Sequence, residues 1–171
     1  MASYYYLLSS LPMLAAGSPP PFDYPTFLEM CRSSVSPATY GALKELTVES
    51  DRGPLLHAWA AYYRLLRQEL RYQRLSRLGK PCLPPENRGA ALTVQAAMAA
   101  DNPLQAERLL LEQQFRQIDA LVGFHVFDDT ALFGYALKLQ LMLRLHGFQF
   151  EAGKAEFVSL LDGIQQKIYR L

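Results

Sequence analysis

Five arginines, Arg64, Arg67, Arg71, Arg74 and Arg77, recur at spacings of three, four, three and three, which places them within an arc of about 140° if the segment is helical. With Lys80 they set six positive charges against one acid, Glu69. Guanidinium groups arrayed in this way make paired, charge-assisted hydrogen bonds, so the chemistry they offer is recognition of carboxylates or phosphates: an acidic protein surface, an anionic headgroup or a phosphate group. The same spacing also describes a solvated face, or arginines that pair internally with the acids between Glu107 and Asp129. Lys138, set among Leu137, Leu139 and Leu141, is the other unusual charge. It either snorkels from its helix, pairs with an acid, or touches a partner. Arg64, Arg67, Arg71, Arg74, Arg77 and Lys138 are therefore the candidate partner-binding residues.

No catalytic set stands beside them. His57, His125 and His146 share no metal-ligand spacing, and a metal site would have to be assembled wholly by tertiary contacts. Asp128 and Asp129 are adjacent carboxylates that can cap a helix and complement its dipole, or hold a cation. Gly153 and Lys154 lack the upstream glycine and following hydroxyl of a phosphate-binding loop. Cys31 and Cys82 lie far apart with no neighbouring thiol; they form no zinc or CxxC motif and fit a reducing cytosol, although one disulfide between them remains open. Tyr4, Tyr5 and Tyr6 read either as core or as an exposed docking arm. No catalytic residue, metal or cofactor is expected.

The chain that must position these groups has 171 residues, half of them hydrophobic and 19% charged, with a formal net charge of +1. A domain of this size buries roughly 70% of the surface its unfolded chain exposes and needs no disulfide or metal staple. The near-neutral balance lacks the basic excess of nucleic-acid-binding proteins, so nucleic acid is the least favoured partner. No run of about 18 uncharged apolar residues occurs, so no transmembrane helix is expected. A membrane would be met from outside, without insertion. The apolar start has no basic n-region and is interrupted by Pro12, which favours a place in the fold over a signal peptide.

The elements read as helices after residue 24. Residues 4–11 are aromatic and β-favouring and predict a short extended N-terminal arm, followed by a Gly/Ser/Pro loop that reaches to residue 23. Phe27, Met30 and Cys31 keep helical spacing, and Ser36 with Pro37 starts a second short helix expected to run through Val48. A long helix begins near Pro54, buries Leu55, Trp59, Tyr62, Leu66 and Leu70, and stops at Gly79, Lys80 and Pro81. Residues 81–89 form a proline-rich hinge, and 90–100 an alanine-rich helix. Asn102, Pro103 and Gln105 cap the next helix, with Leu104, Leu111, Phe115, Ile118 and Val122 inward and Arg108, Glu112 and Arg116 paired opposite. Asp128 or Asp129 opens a helix over 130–145 that is apolar on most of its circumference, hence central, and Gly147 ends it. A last helix is expected over 151–169, with Ala155, Val158, Leu161 and Ile168 inward. The fold expected is all-α: one domain, an orthogonal bundle of six to seven helices.

Two stretches carry a resemblance. The opening YYYLLSSLPML, residues 4–14, resembles the start of a bacterial family encoded in V-type ATPase operons. FDDTALFGYALKLQLMLRLHGFQFEAGKAEFVSLL, residues 127–161, is similar to the closing region of that family and of the central-stalk socket of V-type ATPases, the component lettered C in bacteria and d in eukaryotes. NPLQAERLL at 102–110 and RLSRLGKP at 74–81 fit the same style. The resemblance implies an all-helical, non-catalytic protein, corresponding to one helical unit of the longer socket protein. It would be peripheral at the inner, cytoplasmic face of the cell membrane, with the central-shaft subunits and the membrane rotor ring as partners, in a machine that couples ATP to ion transport. A reduced socket, one piece of a socket and an accessory factor all fit it, and a free-standing helical adaptor is the alternative outside ion pumping.

Overall fold

The computed structural model describes residues 4–147 and 159–161. The described residues form an all-α multi-helix bundle: α1 (Tyr5–Ser10), α2 (Tyr24–Arg32), α3 (Pro37–Lys44), α4 (Pro54–Arg77), α5 (Ala91–Met98), α6 (Pro103–Val122) and α7 (Asp129–His146). Most boundaries follow from local chemistry. Asp23, Ser36, Asn102 and Asp128 each sit in extended backbone and accept a hydrogen bond from the backbone N–H three residues on, which satisfies a donor the helix leaves unpaired. Pro37, Pro54 and Pro103 occupy first helical positions, where a missing N–H costs nothing. Helix α4 ends in a paired turn: the Lys80 N–H reaches the Leu75 carbonyl at 3.0 Å and the Gly79 N–H that of Ser76 at 3.0 Å. Gly79 takes φ +64° there, a conformation any side chain would strain.

The extended N-terminal arm is instead the helix α1. Tyr4, Leu7, Leu8 and Leu11 repeat at i, i+3, i+4 and i+7, and all four pack on the main core. The Tyr4 N–H donates to the Phe127 carbonyl at 2.9 Å and its hydroxyl to Asp129 Oδ1 at 2.9 Å. Thr39 Oγ1 reaches the same carboxylate oxygen at 3.2 Å. The starts of α1, α3 and α7 are thus tied at one polar knot, and Asp128, not Asp129, is the cap of α7.

Helix α3 stops at Lys44 rather than Val48, and distant side chains take carbonyls in its last turn and in the residues that follow. Tyr24 Oη donates to Leu43 O at 2.8 Å, Gln140 Nε2 to Leu46 O at 2.7 Å, and Trp59 Nε1 to Val48 O at 2.8 Å. One turn therefore anchors α2, α7 and α4 together. Trp59 and Phe27 are fully buried beside it, and burial holds the Tyr24 phenol well above the usual tyrosine range.

Helix α7 is central, as its all-round apolarity implies: it packs against α2, α3, α4 and α6. Leu132, Ala136, Leu137 and Leu139 are fully buried within it. Its approach to α6 depends on Gly134, where a Cβ would stand 2.4 Å from Val122 Cγ2. A second, smaller cluster joins α4, α5 and α6 through Leu66, Ala90, Val94, Ala97 and Leu110, and Tyr62 packs against both clusters. Leu104, expected inward, is 43% exposed at the first turn of α6. Of the helix expected over 151–169, with Gly153 and Lys154, only 159–161 fall among the described residues; these are helical, and Leu161, expected inward, is exposed. The tight α6–α7 contact gives a direct test. Gly134→Ala should cost about 1–3 kcal/mol in denaturant unfolding, and Val122→Ala in that background should restore part of the loss.

Candidate protein-docking face

Helix α4 presents the arginines and buries the opposite side. Leu55, Leu56, Trp59, Ala60 and Leu66 are buried, whereas Arg64, Arg67, Arg71, Arg74 and Arg77 are all exposed on one face. A groove of about 600 Å³ on this face is lined by Arg64, Arg67, Arg71 and Arg74 together with Gln68, Leu70 and Leu75. Arg67 pairs with Glu49 and lies 5.9 Å from the Tyr63 ring centre. Among the described residues, Arg64, Arg71, Arg74 and Arg77 make no ion pair. The acids between Glu107 and Asp129 serve other bases: Glu107 pairs with Arg144, Glu112 with Arg116 and Asp119 with Lys138. Arg108, expected to share Glu112, forms no ion pair among the described residues.

The acid that could have neutralised the face points away from it. Glu69 lies about 150° around the helix from the centre of the arginine arc, and it is fully buried. Arg88 Nη2 donates to its Oε1 at 2.9 Å, Arg88 Nε reaches Oε2 at 3.5 Å, and Gln73 Nε2 donates to Oε1 at 2.8 Å. The Arg88 guanidinium also covers the Tyr72 ring at 5.3 Å. The sequence signal for this pair is an acid one turn from Leu66 on the buried stripe, since a charge taken from water needs a partner. Arg88 itself, thirteen positions past the Leu75 turn in a proline-rich stretch, carries no local mark of that role.

Lys138 belongs elsewhere. It pairs with Asp119 of α6 and lies 5.2 Å from the Phe115 ring centre, and its side chain is 16% exposed. The structure therefore does not bring Lys138 together with the arginines. Of the tyrosine run, Tyr4 is core and Tyr5 and Tyr6 are exposed, with Tyr5 against Phe127 at 4.7 Å. His125 pairs with Asp128. Burial raises the pKa of Asp128, but the Ala131 N–H and the His125 ring outweigh that and hold the carboxyl below its usual range. Both cysteines are free thiols; Cys31 is buried and its pKa is pushed up to about 11, and Cys82 is partly exposed. No group of three or more metal-ligating side chains occurs among the described residues. No helix among them is long and apolar enough to cross a membrane.

The class the fold and face define is an all-helical bundle with a one-sided basic helix on its surface. No protein family, no curated protein and no solved structure matches the chain.

The Glu69 pair gives a pH dependence with a definite sign. Arg88 and, secondarily, Gln73 lower the Glu69 pKa below its ordinary 4.5, against the opposing effect of burial. Its contribution to stability is complete above that ordinary value and is lost as pH falls through the lower, folded-state value. Arg88→Ala should therefore be less stable than the wild type near neutral pH, and the difference in melting temperature should shrink as pH is lowered from about 6 to about 3.

Proposed function

We propose that this chain is a non-catalytic protein-binding component that docks on an acidic partner through the arginine face of α4. The observation that carries this reading is the separation of charge on that helix: four exposed arginines have no internal acid among the described residues, while the helix's one carboxylate is buried on Arg88. Arginine suits such a role because its planar fork pairs with carboxylates at modest desolvation cost. Helix α4 offers these groups on a backbone fixed by Trp59 and Leu66, so little backbone order is lost on binding.

The resemblance of residues 4–14 and 127–161 supports a particular setting. In this reading the partner is the central shaft or the membrane rotor ring of a bacterial V-type ATPase, and the chain is a socket-like or accessory element of the central stalk, held at the inner membrane face by protein contacts. Linking the shaft to the ring calls for rigid docking surfaces rather than an active site. Charge is the contact on which recognition turns, so its reversal is the test.

Tagged wild-type protein, recovered from gently solubilised native membranes, should bring with it the catalytic, shaft and ring subunits and ATPase activity. Arg71→Glu combined with Arg74→Glu should keep the helical content and melting temperature of the wild type, because both side chains are exposed, and should lower that recovery at least about tenfold. Undiminished recovery would overturn the docking face. Wild-type recovery with a soluble partner alone would leave an adaptor outside ion pumping, and recovery abolished by nuclease would contradict a protein partner.

A further inference from the structure

A second groove, of about 610 Å³, adjoins the arginine groove along α4. The two share Gln68, Arg71 and Leu75. The second is walled on its far side by the strap 81–87, in which Pro81, Leu83, Pro84 and Pro85 stand opposite Leu65, Tyr72 and Leu75. Leu83 is 91% exposed. A large aliphatic side chain open to water at the rim of a trough has apolar area to gain from a partner.

The strap is held in place before any partner arrives. Arg88 fastens its end to buried Glu69 and covers Tyr72, and Cys82 Sγ lies 3.8 Å from the Tyr72 carbonyl. Its prolines fix their own φ angles and carry no N–H, so the wall presents apolar surface with little conformational freedom to lose. On the near side, Arg71 lines both grooves, and Arg64 and Arg74 continue the row along the adjoining arginine groove. From Arg64 to Leu75 the helix rises roughly 16 Å, about three turns.

We infer that the occupant of this double groove is an amphipathic helix of about three turns in the partner, with an apolar stripe and an acidic flank. Its leucine-like side chains enter the trough between Leu75 and Leu83, and its carboxylates, recurring at seven and three residues, meet Arg64, Arg71 and Arg74. A row of arginines beside a trough whose apolar walls are Leu75, Leu83 and the strap prolines, with Gln68, Glu86 and Asn87 between them, matches the two adjacent faces of one helix. A merely acidic surface would satisfy the arginines and leave Leu83 in water. The inference rests on the arginine face being a protein-docking surface, and it adds the form of the docked segment.

The test is photo-cross-linking in the full chain in its native cells, with benzoylphenylalanine placed singly at Leu83, at Arg74, or at Met13 as an exposed control, followed by mapping of the linked residues. The expected result is that Leu83 and Arg74 probes both link to one short segment of the same partner, that its apolar residues recur at three and four with acids on one flank, and that Met13 does not link to it. Leu83→Asp should then lower the Arg74 cross-link at least about tenfold. Links from Arg74 to an acidic protein surface, with none from Leu83 to the same segment, would overturn the helix-in-groove inference and leave the arginine face standing. Absence of protein links from both probes, or links to lipid alone, would overturn both.

Discussion

Burial of a single carboxylate underlies the basic face of this protein and the strap beside it. Glu69 sits on the inward stripe of α4, and a charge there is tolerable only because Arg88 and Gln73 satisfy it. That pairing has two consequences. It removes the one acid of the arginine-rich stretch from the exposed face, and it pins the strap after α4 against the helix. The face is basic because its counter-charge is used inside. The trough beside it exists because the same pair holds the strap.

The rest of the bundle supplies the rigidity this arrangement needs. The last turn of α3 and the residues after it give the Leu43, Leu46 and Val48 carbonyls to Tyr24, Gln140 and Trp59, so three helices converge on residues 43–48. A buried carbonyl left without a donor costs on the order of 1–3 kcal/mol, and these long-range side chains supply donors where α3 ends. Trp59 joins this turn to α4, and Leu66, two turns farther on, enters the second cluster. Arg64, Arg67 and Arg71 thus project from the part of α4 that the two clusters hold, and Arg74 and Arg77 from the turns beyond it.

The sequence was most legible where the physics is local. Ser36 with Pro37, Asn102 with Pro103, Asp128 before α7, and Gly79 after α4 state their roles within four residues, and each boundary lies where that chemistry puts it. That the arginines share one face followed from spacing alone. Tertiary contacts were harder to read. The aromatic start favours a strand by composition, but Tyr4, Leu7, Leu8 and Leu11 also have helical spacing, and the pull of the core on that stripe prevails. Lys138 found Asp119, nineteen residues back on a neighbouring helix, and Arg88 found Glu69 across the same separation. Neither pairing has a sequence signature, because each depends on how two helices or a strap come to lie together.

The most direct test of the account is a structure of the complex recovered with this protein from native membranes. An acidic segment should lie along α4 between Arg64 and Arg77, with Glu69 still paired to Arg88 beneath it. A bound complex in which the arginine face is open to solvent and the partner sits on another surface, such as the exposed Tyr6 and Phe124, would contradict it.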